Sequence, residues 1–213
     1  MMQVKSVNLG EITEVKWRNK LIKTGIFKTP VEKIILGKED VNNDHVIDRK
    51  YHGGIDKACY LFSADAYPHF KELYPKLDWT WGMFGENMTV SGLNEEEICI
   101  GDQYQLGDAM IEVSQPRQPC SKLGVRFGNQ KVLKDFIAAE RCGAYVRVIE
   151  PGEVMPGDEL KLLRTGSNIS LGDIFRMLYQ KSQDIDLLNS ALDLSSLATS
   201  AKKDLRKYNK NLI

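Results

Sequence analysis

The sequence predicts a mostly β protein: a barrel of short strands with helical insertions, followed by a small unit of three helices. Short runs in which apolar and polar residues alternate recur through the first three quarters of the chain, with glycines between them. That spacing is typical of an all-β barrel or sandwich and not of alternating βαβ units. After residue 164 cysteine, histidine and proline no longer occur, and the apolar residues follow a helical period.

Size and charge limit the classes of function. The chain has 213 residues, 42% of them hydrophobic, which is enough for one ordinary core. Its 29 basic and 29 acidic residues cancel, so bulk charge argues against general nucleic-acid binding and against membrane-surface binding, and we expect no sequence-specific nucleic-acid partner. The N-terminus reads as a strand and not as a signal peptide, and no stretch approaches transmembrane length. We therefore expect a cytoplasmic protein with free thiols.

The first three quarters of the chain contain the runs that predict barrel strands. In chain order they are MQVKSVNL, EITEVKW, EKIILG, KACYLF, ENMTVSG, QYQLG, AMIEVSQ, AYVRVI and DELKLL. Gly-Asp pairs at residues 101–102, 107–108 and 157–158 each precede such a run. Glycine accepts positive φ and aspartate makes local hydrogen bonds, so we interpret these pairs as turns between strands.

Helical patterns interrupt the barrel twice and then form the tail. Residues 63–77, with Ser63 as a possible cap, and residues 129–143 predict the two insertions. In the tail, Ser170 and Asp173 resemble a capping box, and Asp184 and Ser195 are candidate caps of two further helices. We assign residues 1–164 to the barrel and residues 165–213 to the tail. Because the tail carries almost no candidate chemistry, we expect it to be structural and separable from the functional site.

Cys120 lies in SQPRQPCSKLG, residues 114–124, behind two prolines. Proline fixes its own φ and favours extended geometry before it, so residues 115–120 should form a rigid, non-helical arm. The neighbouring cations Arg117 and Lys122 favour the thiolate, which attacks electrophiles or binds soft metals. The alternative is a buried thiol that only fills space. The four cysteines are scattered, without the close spacing of a zinc or iron–sulfur site.

A second stretch, DRKYHGGIDKACYLF, surrounds a Gly-Gly pair with charged residues immediately before a strand. Two glycines let the backbone approach a ligand and expose N–H groups to an anion. The alternative is a hairpin turn with solvated charges, in which His52 only hydrogen-bonds the turn. The residues concerned are Asp48, Arg49, His52, Gly53, Gly54, Asp56 and Lys57.

Two further glycine-containing stretches are weaker signals. In WGMFGENMTVSG, Glu86 and Asn87 follow Gly85, where they could recognise a polar heterocycle or simply cap a turn. LIKTGIFKTPV, residues 21–31, adds lysines near a glycine, but such loops are common on the rim of any barrel.

Taken together, these segments resemble one family. Five segments between about residues 21 and 162 carry the resemblance, in this order: KTGIFKTPV, DRKYHGGIDKA, FGENMTVSG, IGDQYQLGDAMIEVSQPRQPCSKL and MPGDEL. This ordered set resembles the MOSC domain. That domain is named for the C-terminal region of molybdenum-cofactor sulfurases. The similarity is to its YiiM-type branch, which also carries a C-terminal extension of three helices.

The resemblance implies a MOSC-type β-barrel that binds a molybdenum–pterin cofactor (Moco), and not pyridoxal phosphate. Cys120 becomes the metal ligand and, with His52, a catalytic residue. Lys57, Arg117 and Lys122 would meet the phosphate and dithiolene charge, and the glycines would admit the flat pterin. The implied cofactor-binding set is Arg49, His52, Gly53, Gly54, Lys57, Gly85, Glu86, Asn87, Arg117 and Lys122.

The family includes reductases of N-hydroxylated bases, so the resemblance implies a small N-hydroxylated substrate. Scattered cysteines and the lack of a GxGxxG fingerprint point to an external electron donor, a flavoprotein or a ferredoxin-type reductase. Two alternatives remain at this stage. The protein could carry sulfur or the cofactor on Cys120, or it could be a non-catalytic binding module whose tail contacts a partner.

Overall fold

Seven strands close into a barrel in the computed structural model, which describes residues 1–47, 49–179 and 184–209, with residues 50 and 51 described by backbone alone. The ring order is β12-β8-β9-β10-β6-β7-β1, and pairing of β1 with β12 closes it. The strands are β1 (Met2–Gly10), β2 (Thr13–Trp17), β3 (Lys20–Thr24), β4 (Lys28–Val31), β5 (Ile34–Leu36), β6 (Cys59–Ser63), β7 (Met88–Ser91), β8 (Gln103–Leu106), β9 (Ala109–Pro116), β10 (Ala144–Glu150), β11 (Gly152–Val154) and β12 (Glu159–Arg164).

The described helices lie around and after this barrel. They are α1 (Arg49–His52), α2 (Tyr67–Leu73), α3 (Ser121–Arg126), α4 (Val132–Ala139), α5 (Leu171–Tyr179), α6 (Ile185–Asp193) and α7 (Thr199–Tyr208). Two 3₁₀ turns, Ile55–Lys57 and Ala64–Ala66, flank β6. The described part of the chain includes no helix with the length and apolar character needed to cross a membrane. The predicted barrel with helical insertions and a three-helix tail is confirmed.

The barrel is antiparallel except for one pair, β6 with β7, which runs parallel. A parallel pair needs a crossover connection, and α2 lies in that crossover. Two small two-stranded sheets, β2–β3 and β5–β11, lie outside the ring, and β4 extends it by pairing with β1.

Each predicted strand is present, but β3, β4 and β11 were not predicted from the sequence. The β2–β3 hairpin turns at Arg18 and Asn19, which both adopt positive φ, at 47° and 62°. Asn-Gly or Asp-Gly usually marks that turn, so Arg-Asn gave no clear signal. β4 contains Pro30, which suits an edge strand and weakens the strand pattern.

Two of the four predicted helix caps are confirmed. The backbone N–H of Ser170 donates to Asp173 Oδ2, and the backbone N–H of Asp173 donates to Ser170 Oγ, at 3.0 Å each. Asp184 Oδ1 accepts from the N–H of Leu187 at 2.8 Å. The other two predictions, at residues 63 and 195, were wrong.

The two failed caps have separate physical reasons. The hydroxyl of Ser63 is buried and donates to the carbonyl of Leu93 instead of capping the turn that follows it. Ser195 lies in a turn, and α7 begins four residues later, at Thr199. Ala198, which has no polar side chain, occupies the cap position.

The core has two parts. An aromatic cluster lies under α2, α3 and α4, where Phe62 stacks on Phe84 with ring centroids 4.0 Å apart. The larger aliphatic cluster fills the barrel and continues without interruption into the tail. The tail residues in the aliphatic cluster are Ile169, Leu171, Ile174, Met177, Leu178, Leu188, Ala191, Leu197, Ala198, Ala201 and Leu205. Barrel and tail therefore share one core.

Candidate functional site

Cys120 ends a rigid arm that leaves the barrel at β9. As expected from the two prolines, the arm is extended, with Cys120 at φ −122° and ψ 166°. α3 begins at the next residue, so the thiol sits where a strand-like segment becomes a helix. The half-buried side chain faces a cleft and is held there by the backbone on both sides.

The thiol cleft, as we call it, has a cavity volume of about 80 Å³ and opens to solvent. It brings together residues that are far apart in sequence. They come from the connection between β3 and β4, from the segment 40–47, from the Gly-Gly stretch, from the turn before β7, from the proline arm and from β10. Most of the residues implied by the family resemblance line it: His52, Gly53, Lys57, Gly85, Asn87, Arg117, Cys120 and Lys122.

Cys120 has a thiol that loses its proton unusually easily. Burial raises its pKa, but a hydrogen bond from His52, the positive charge of Arg117 and the backbone N–H of Lys122 outweigh burial and lower the pKa to about 6. The other cysteines behave in the opposite way. Burial raises the pKa of Cys59, Cys99 and Cys142, and all four thiols are free. Cys120 is the cysteine prepared to act as a thiolate at neutral pH.

This difference predicts a selective reaction in protein prepared without molybdenum. We expect iodoacetamide to alkylate Cys120 first, with a rate that is half-maximal near pH 6, because only the thiolate reacts. Since the pKa lies below the ordinary 9.0, the reactive form persists as pH falls from 9 and is lost only below about 6. Mass spectrometry of the modified protein across pH measures this. A midpoint near pH 9 would contradict the arrangement.

Arg117 is a buried cation that makes no ion pair with a carboxylate among the residues that the structure describes. Its side chain is 4% exposed and its guanidinium carbon lies 4.8 Å from the ring centroid of Tyr60. Burial opposes its charge, but the neighbouring Tyr60, Tyr145 and Cys120 side chains raise the guanidinium pKa. Its Nη1 is buried and has no hydrogen-bond partner among the residues described. A buried charge costs free energy unless it is paired, so this atom is where an anion would be stabilised.

Lys28 and Asp44 form a buried ion pair in the same cleft, with side chains 6% and 3% exposed. Asp44 also accepts hydrogen bonds from the backbone N–H of Gly10, at 2.8 Å, and from Asn87 Nδ2, at 3.0 Å. Asn87 Oδ1 in turn accepts from the backbone N–H of Tyr60. Asn87 therefore lines the cleft but uses its amide to fix Asp44 and β6. Lys28 belongs to the weakest of the stretches singled out in the sequence, residues 21–31, whereas sequence reasoning missed Asp44.

Glycines shape the cleft at two points. Gly54 does not line the cleft, but its φ of +90° turns the backbone between His52 and Lys57, which do. Gly85 has φ +75°, and a Cβ there would lie 2.9 Å from the side chain of Ile26. A larger residue at position 85 would push into the cleft wall.

Three predicted residues are not brought to the cleft. Glu86 is fully buried, and its carboxylate accepts from Tyr67, Thr89 and the backbone N–H groups of Gly82 and Phe84. With its acceptors used in this way, Glu86 orders the turn before β7. Arg49 is exposed and pairs with Asp40 and Glu39, and Gly54 lies behind Gly53. Asp48, named with the same stretch, lies outside the described residues.

A second cleft, which we call the tail cleft, meets the thiol cleft at Cys120. Its lining is His52, Lys57, Gln115, Gln118, Pro119, Cys120, Tyr145 and Asp204. Gln118 Nε2 donates to Asp204 Oδ2 at 2.9 Å, and Ser200 Oγ donates to Gln115 Oε1 at 2.8 Å. Both tail residues belong to α7. The structure thus differs from the expectation of a tail separable from the site, because α7 supplies a carboxylate to a cleft that contains Cys120.

The tail is fixed to the Gly-Gly stretch by an ionic network. Arg147 contacts Asp56 at 2.7 Å, Glu112 at 2.8 Å and the carbonyl of Ser196 at 2.6 Å. Asp56 also accepts from the backbone N–H of Thr199, the first residue of α7. The 3₁₀ turn that carries Lys57 is therefore held against the start of α7.

Comparison with known proteins gives consistent matches. The family model described as the MOSC domain matches residues 48–161. An uncharacterized protein YflK of Bacillus subtilis is 36% identical over 99% of this chain and 96% of its own length. A protein named only "Reductase" from Gibberella moniliformis is 35% identical over 75% of this chain, but the match spans 28% of that longer protein.

Solved structures share the fold of this chain. The crystal structure of YiiM from Geobacillus stearothermophilus superposes with a TM-score of 0.81 at 30% identity, over 98% of this chain and 100% of that one. YiiM from Escherichia coli has the same fold, with a TM-score of 0.77 at 23% identity, over 99% of this chain and 94% of that one. The match to the Geobacillus protein includes nearly all of both chains, so it extends through the helical tail.

Proposed function

The chain belongs to the MOSC domain family, and from that premise we propose that it binds a molybdenum–pterin cofactor in the thiol cleft and reduces N-hydroxylated bases or related N-oxygenated compounds. The observation that carries the proposal is the Cys120 thiol, whose pKa is lowered to about 6 at the wall of a cleft that also holds a buried arginine, Arg117, whose Nη1 has no hydrogen-bond partner among the described residues. The name of the Gibberella relative supports a reductase, although nothing in that name specifies a substrate.

The residues of the thiol cleft fit this cofactor. A thiolate is a soft ligand, which suits a thiophilic metal ion. The cofactor carries a phosphate and a dithiolene, and Arg117 Nη1 is a buried donor that lacks an anionic partner among the described residues. Lys57 and Lys122 line the same cleft and add positive charge near Cys120.

Within this proposal each residue has a defined part. Cys120 would hold the metal, and Arg117 would hold the anionic part of the cofactor with its planar guanidinium. When bound, the cofactor supplies the two-electron chemistry. Reduction of an N–OH group to N–H consumes two electrons and two protons and releases water. The imidazole of His52 hydrogen-bonds Cys120 and lines both clefts, so we assign it the proton that the departing oxygen needs.

The electrons must come from outside this chain. We propose a flavoprotein or a ferredoxin-type reductase as the donor, since the four free cysteines are not clustered and the sequence has no dinucleotide fingerprint. The assay should therefore use a chemical reductant, such as a reduced viologen dye, which removes the need for the natural donor.

Metal and pterin analysis tests the proposal directly. Protein purified gently from a host that makes the cofactor should contain stoichiometric molybdenum and give pterin fluorescence after oxidation. It should also reduce an N-hydroxylated amidine with the viologen dye. Protein from that host with neither molybdenum nor pterin would contradict the proposal.

A sulfur carrier is the second candidate, and the same thiolate favours it. A cysteine with a lowered pKa in an open cleft can hold a persulfide as well as a metal. Mass spectrometry distinguishes the two. A persulfide on Cys120 without molybdenum would support the carrier and count against the reductase.

The buried charge of Arg117 gives a further prediction. Arg117→Met keeps much of the packing volume but removes the charge, so we expect retained molybdenum and pterin to fall by about tenfold or more. The free energy of unfolding of the cofactor-free protein should change little, because methionine does not bury an unpaired charge. Arg117→Lys should retain an intermediate amount, since lysine keeps the charge but not the planar fork.

Arg126→Met is the matched control for this variant. Arg126 also stacks on an aromatic ring, with its guanidinium carbon 5.0 Å from the centroid of Phe27, but it lines neither cleft. Its cofactor content should match that of the wild type. Normal cofactor content in Arg117→Met together with a large loss of stability would show that Arg117 is structural.

A further inference from the structure

Another cavity, which we call the hairpin groove, adjoins the thiol cleft. Its walls come from the β2–β3 hairpin and from α3, and it has a volume of about 630 Å³. Ile47 and Lys122 line both cavities, and Lys122 follows Cys120 by two residues. A molecule seated in the hairpin groove would therefore lie next to the cleft that holds Cys120.

The lining of the hairpin groove is rich in cations. Arg18, Lys20, Lys23 and Lys122 contribute to it, and the described residues that line the groove include no carboxylate. The charge of Lys23 is partly offset by Glu14, whose carboxylate lies 3.1 Å away. Because the whole chain has as many acidic as basic residues, this concentration of positive charge is a local property of the groove. Such a surface attracts a negatively charged partner.

Apolar side chains share the lining with these cations. Trp17 pairs with Lys20 across the hairpin, and Ile22 follows Lys20 by two residues, so all three side chains lie on one face of the hairpin. Ile47, which is 39% exposed, adds a further apolar side chain. The guanidinium carbon of Arg18 lies 5.9 Å from the centroid of the Trp17 ring. Tryptophan and arginine are both enriched at contacts between proteins, so this composition is typical of a protein-binding surface.

We propose that the hairpin groove is the docking surface for the electron donor, and that the donor presents an acidic face to it. The proposal rests on the proposed reductase function, in which the donor loses two electrons for each N–OH group that is reduced. Electrons pass between proteins only over short distances, so the donor must dock close to Cys120, and the groove adjoins the cleft of that residue. Complexes of redox proteins are small and weak, and opposite charges speed their association.

Calorimetric titration tests the docking without any turnover. Full-length protein purified from a host that makes the cofactor should bind at least one of two carriers, a flavodoxin and a [2Fe–2S] ferredoxin, each chosen for a strongly negative net charge. The affinity should fall about tenfold or more between about 0.01 M and about 0.15 M salt, because the Debye length shortens from about 30 Å to about 8 Å.

A charge reversal in the groove tests its location. Lys20→Glu should weaken carrier binding by about tenfold or more, because an attraction becomes a repulsion. The matched control is Lys16→Glu, which makes the same change on the same hairpin. Lys16 pairs with Leu21, so it lies on the opposite face, and it does not line the groove. Both lysines are exposed, so neither change should disturb the fold, and the control should bind the carrier as the wild type does.

Turnover gives a second readout. The rate of N-hydroxylated amidine reduction with the reduced carrier is divided by the rate with reduced viologen, a small molecule that needs no docking surface. Lys20→Glu should lower this ratio by about tenfold or more, and Lys16→Glu should leave it unchanged.

Three results would overturn the proposal: no binding of either carrier by the wild type, equal carrier affinity in wild type and Lys20→Glu, or binding of only pyrophosphate or a short oligonucleotide. The last of these would assign the groove to a different anion. Absent molybdenum, or absent reduction with the viologen dye, would instead count against the reductase function. The titration on the same samples would still decide whether the groove docks an acidic carrier.

Discussion

Cys120→Ser should abolish reduction of an N-hydroxylated amidine by cofactor-loaded protein, lowering kcat by about a thousandfold or more, as loss of an essential group does. The hydroxyl is close in size to the thiol, but it is a hard donor that stays protonated, so it cannot replace a soft thiolate on a metal. The assay uses reduced viologen as electron source, so the natural donor does not affect the result. Molybdenum and pterin content should be measured on the same samples, to separate loss of the metal from loss of turnover.

Cys99→Ser is the matched control for this substitution. Cys99 is half-buried like Cys120, but burial and neighbouring acids raise its pKa, and it lines neither cleft. Its activity should equal that of the wild type, and thermal unfolding of both variants should lie within about 1 kcal/mol of the wild type, as for most half-buried changes. Turnover by Cys120→Ser near the wild-type rate would exclude this cysteine as the metal ligand.

A chain that ends at Arg164 should fail to fold. Removing α5, α6 and α7 takes away large apolar side chains that share the barrel core: Leu171, Ile174, Met177, Leu178, Leu188, Leu197 and Leu205, all at most 4% exposed. At about 1.5–3 kcal/mol for each side chain, their burial contributes about 10–20 kcal/mol, which matches or exceeds the whole stability of an ordinary domain. Expression of the shortened chain should give insoluble protein, or protein without a cooperative unfolding transition.

A point substitution tests the same idea within the full chain. Leu205→Ala removes one fully buried leucine of α7 and should lower the free energy of unfolding by about 2–5 kcal/mol. Leu73→Ala, on a leucine that is 44% exposed at the end of α2, should have little effect. A shortened chain that folds, unfolds cooperatively and retains the cofactor would show that the barrel is independent of its tail.

The sequence predicted the barrel well because strand signals are local. Alternating apolar residues with glycine turns indicate strands whatever their partners are, and each of those runs became a strand. Which strands are neighbours is not encoded locally. Tyr60 and Tyr145 face each other across β6 and β10, and both line the thiol cleft, yet they are separated by 85 positions and neither was predicted as a site residue.

The site was predicted unevenly for a similar reason. Cys120 and Arg117 lie within one short proline-rich segment, so their proximity is visible in the sequence. Asp204 reaches the cleft only because α7 folds back onto the end of β9, and a lone aspartate in a basic helical segment carries no signal of that contact. Glu86 shows the opposite case, because a glycine-rich context suggested a ligand while the fold uses its carboxylate to order a turn.

The pairing of β1 with β12 has a consequence for the order of events in the cell. Met2 lies opposite Leu160, so the first strand of the barrel cannot find its closing partner until about three quarters of the chain has left the ribosome. Contacts between such distant parts of a chain form slowly, because the entropy of closing the loop must be overcome first. The residues that line the thiol cleft come from segments spread between residues 24 and 145, so the cleft cannot form before all of those segments have been synthesised. Whatever ligand it holds must enter through the open mouth of the cleft, after these segments and the closing strand β12 have been made.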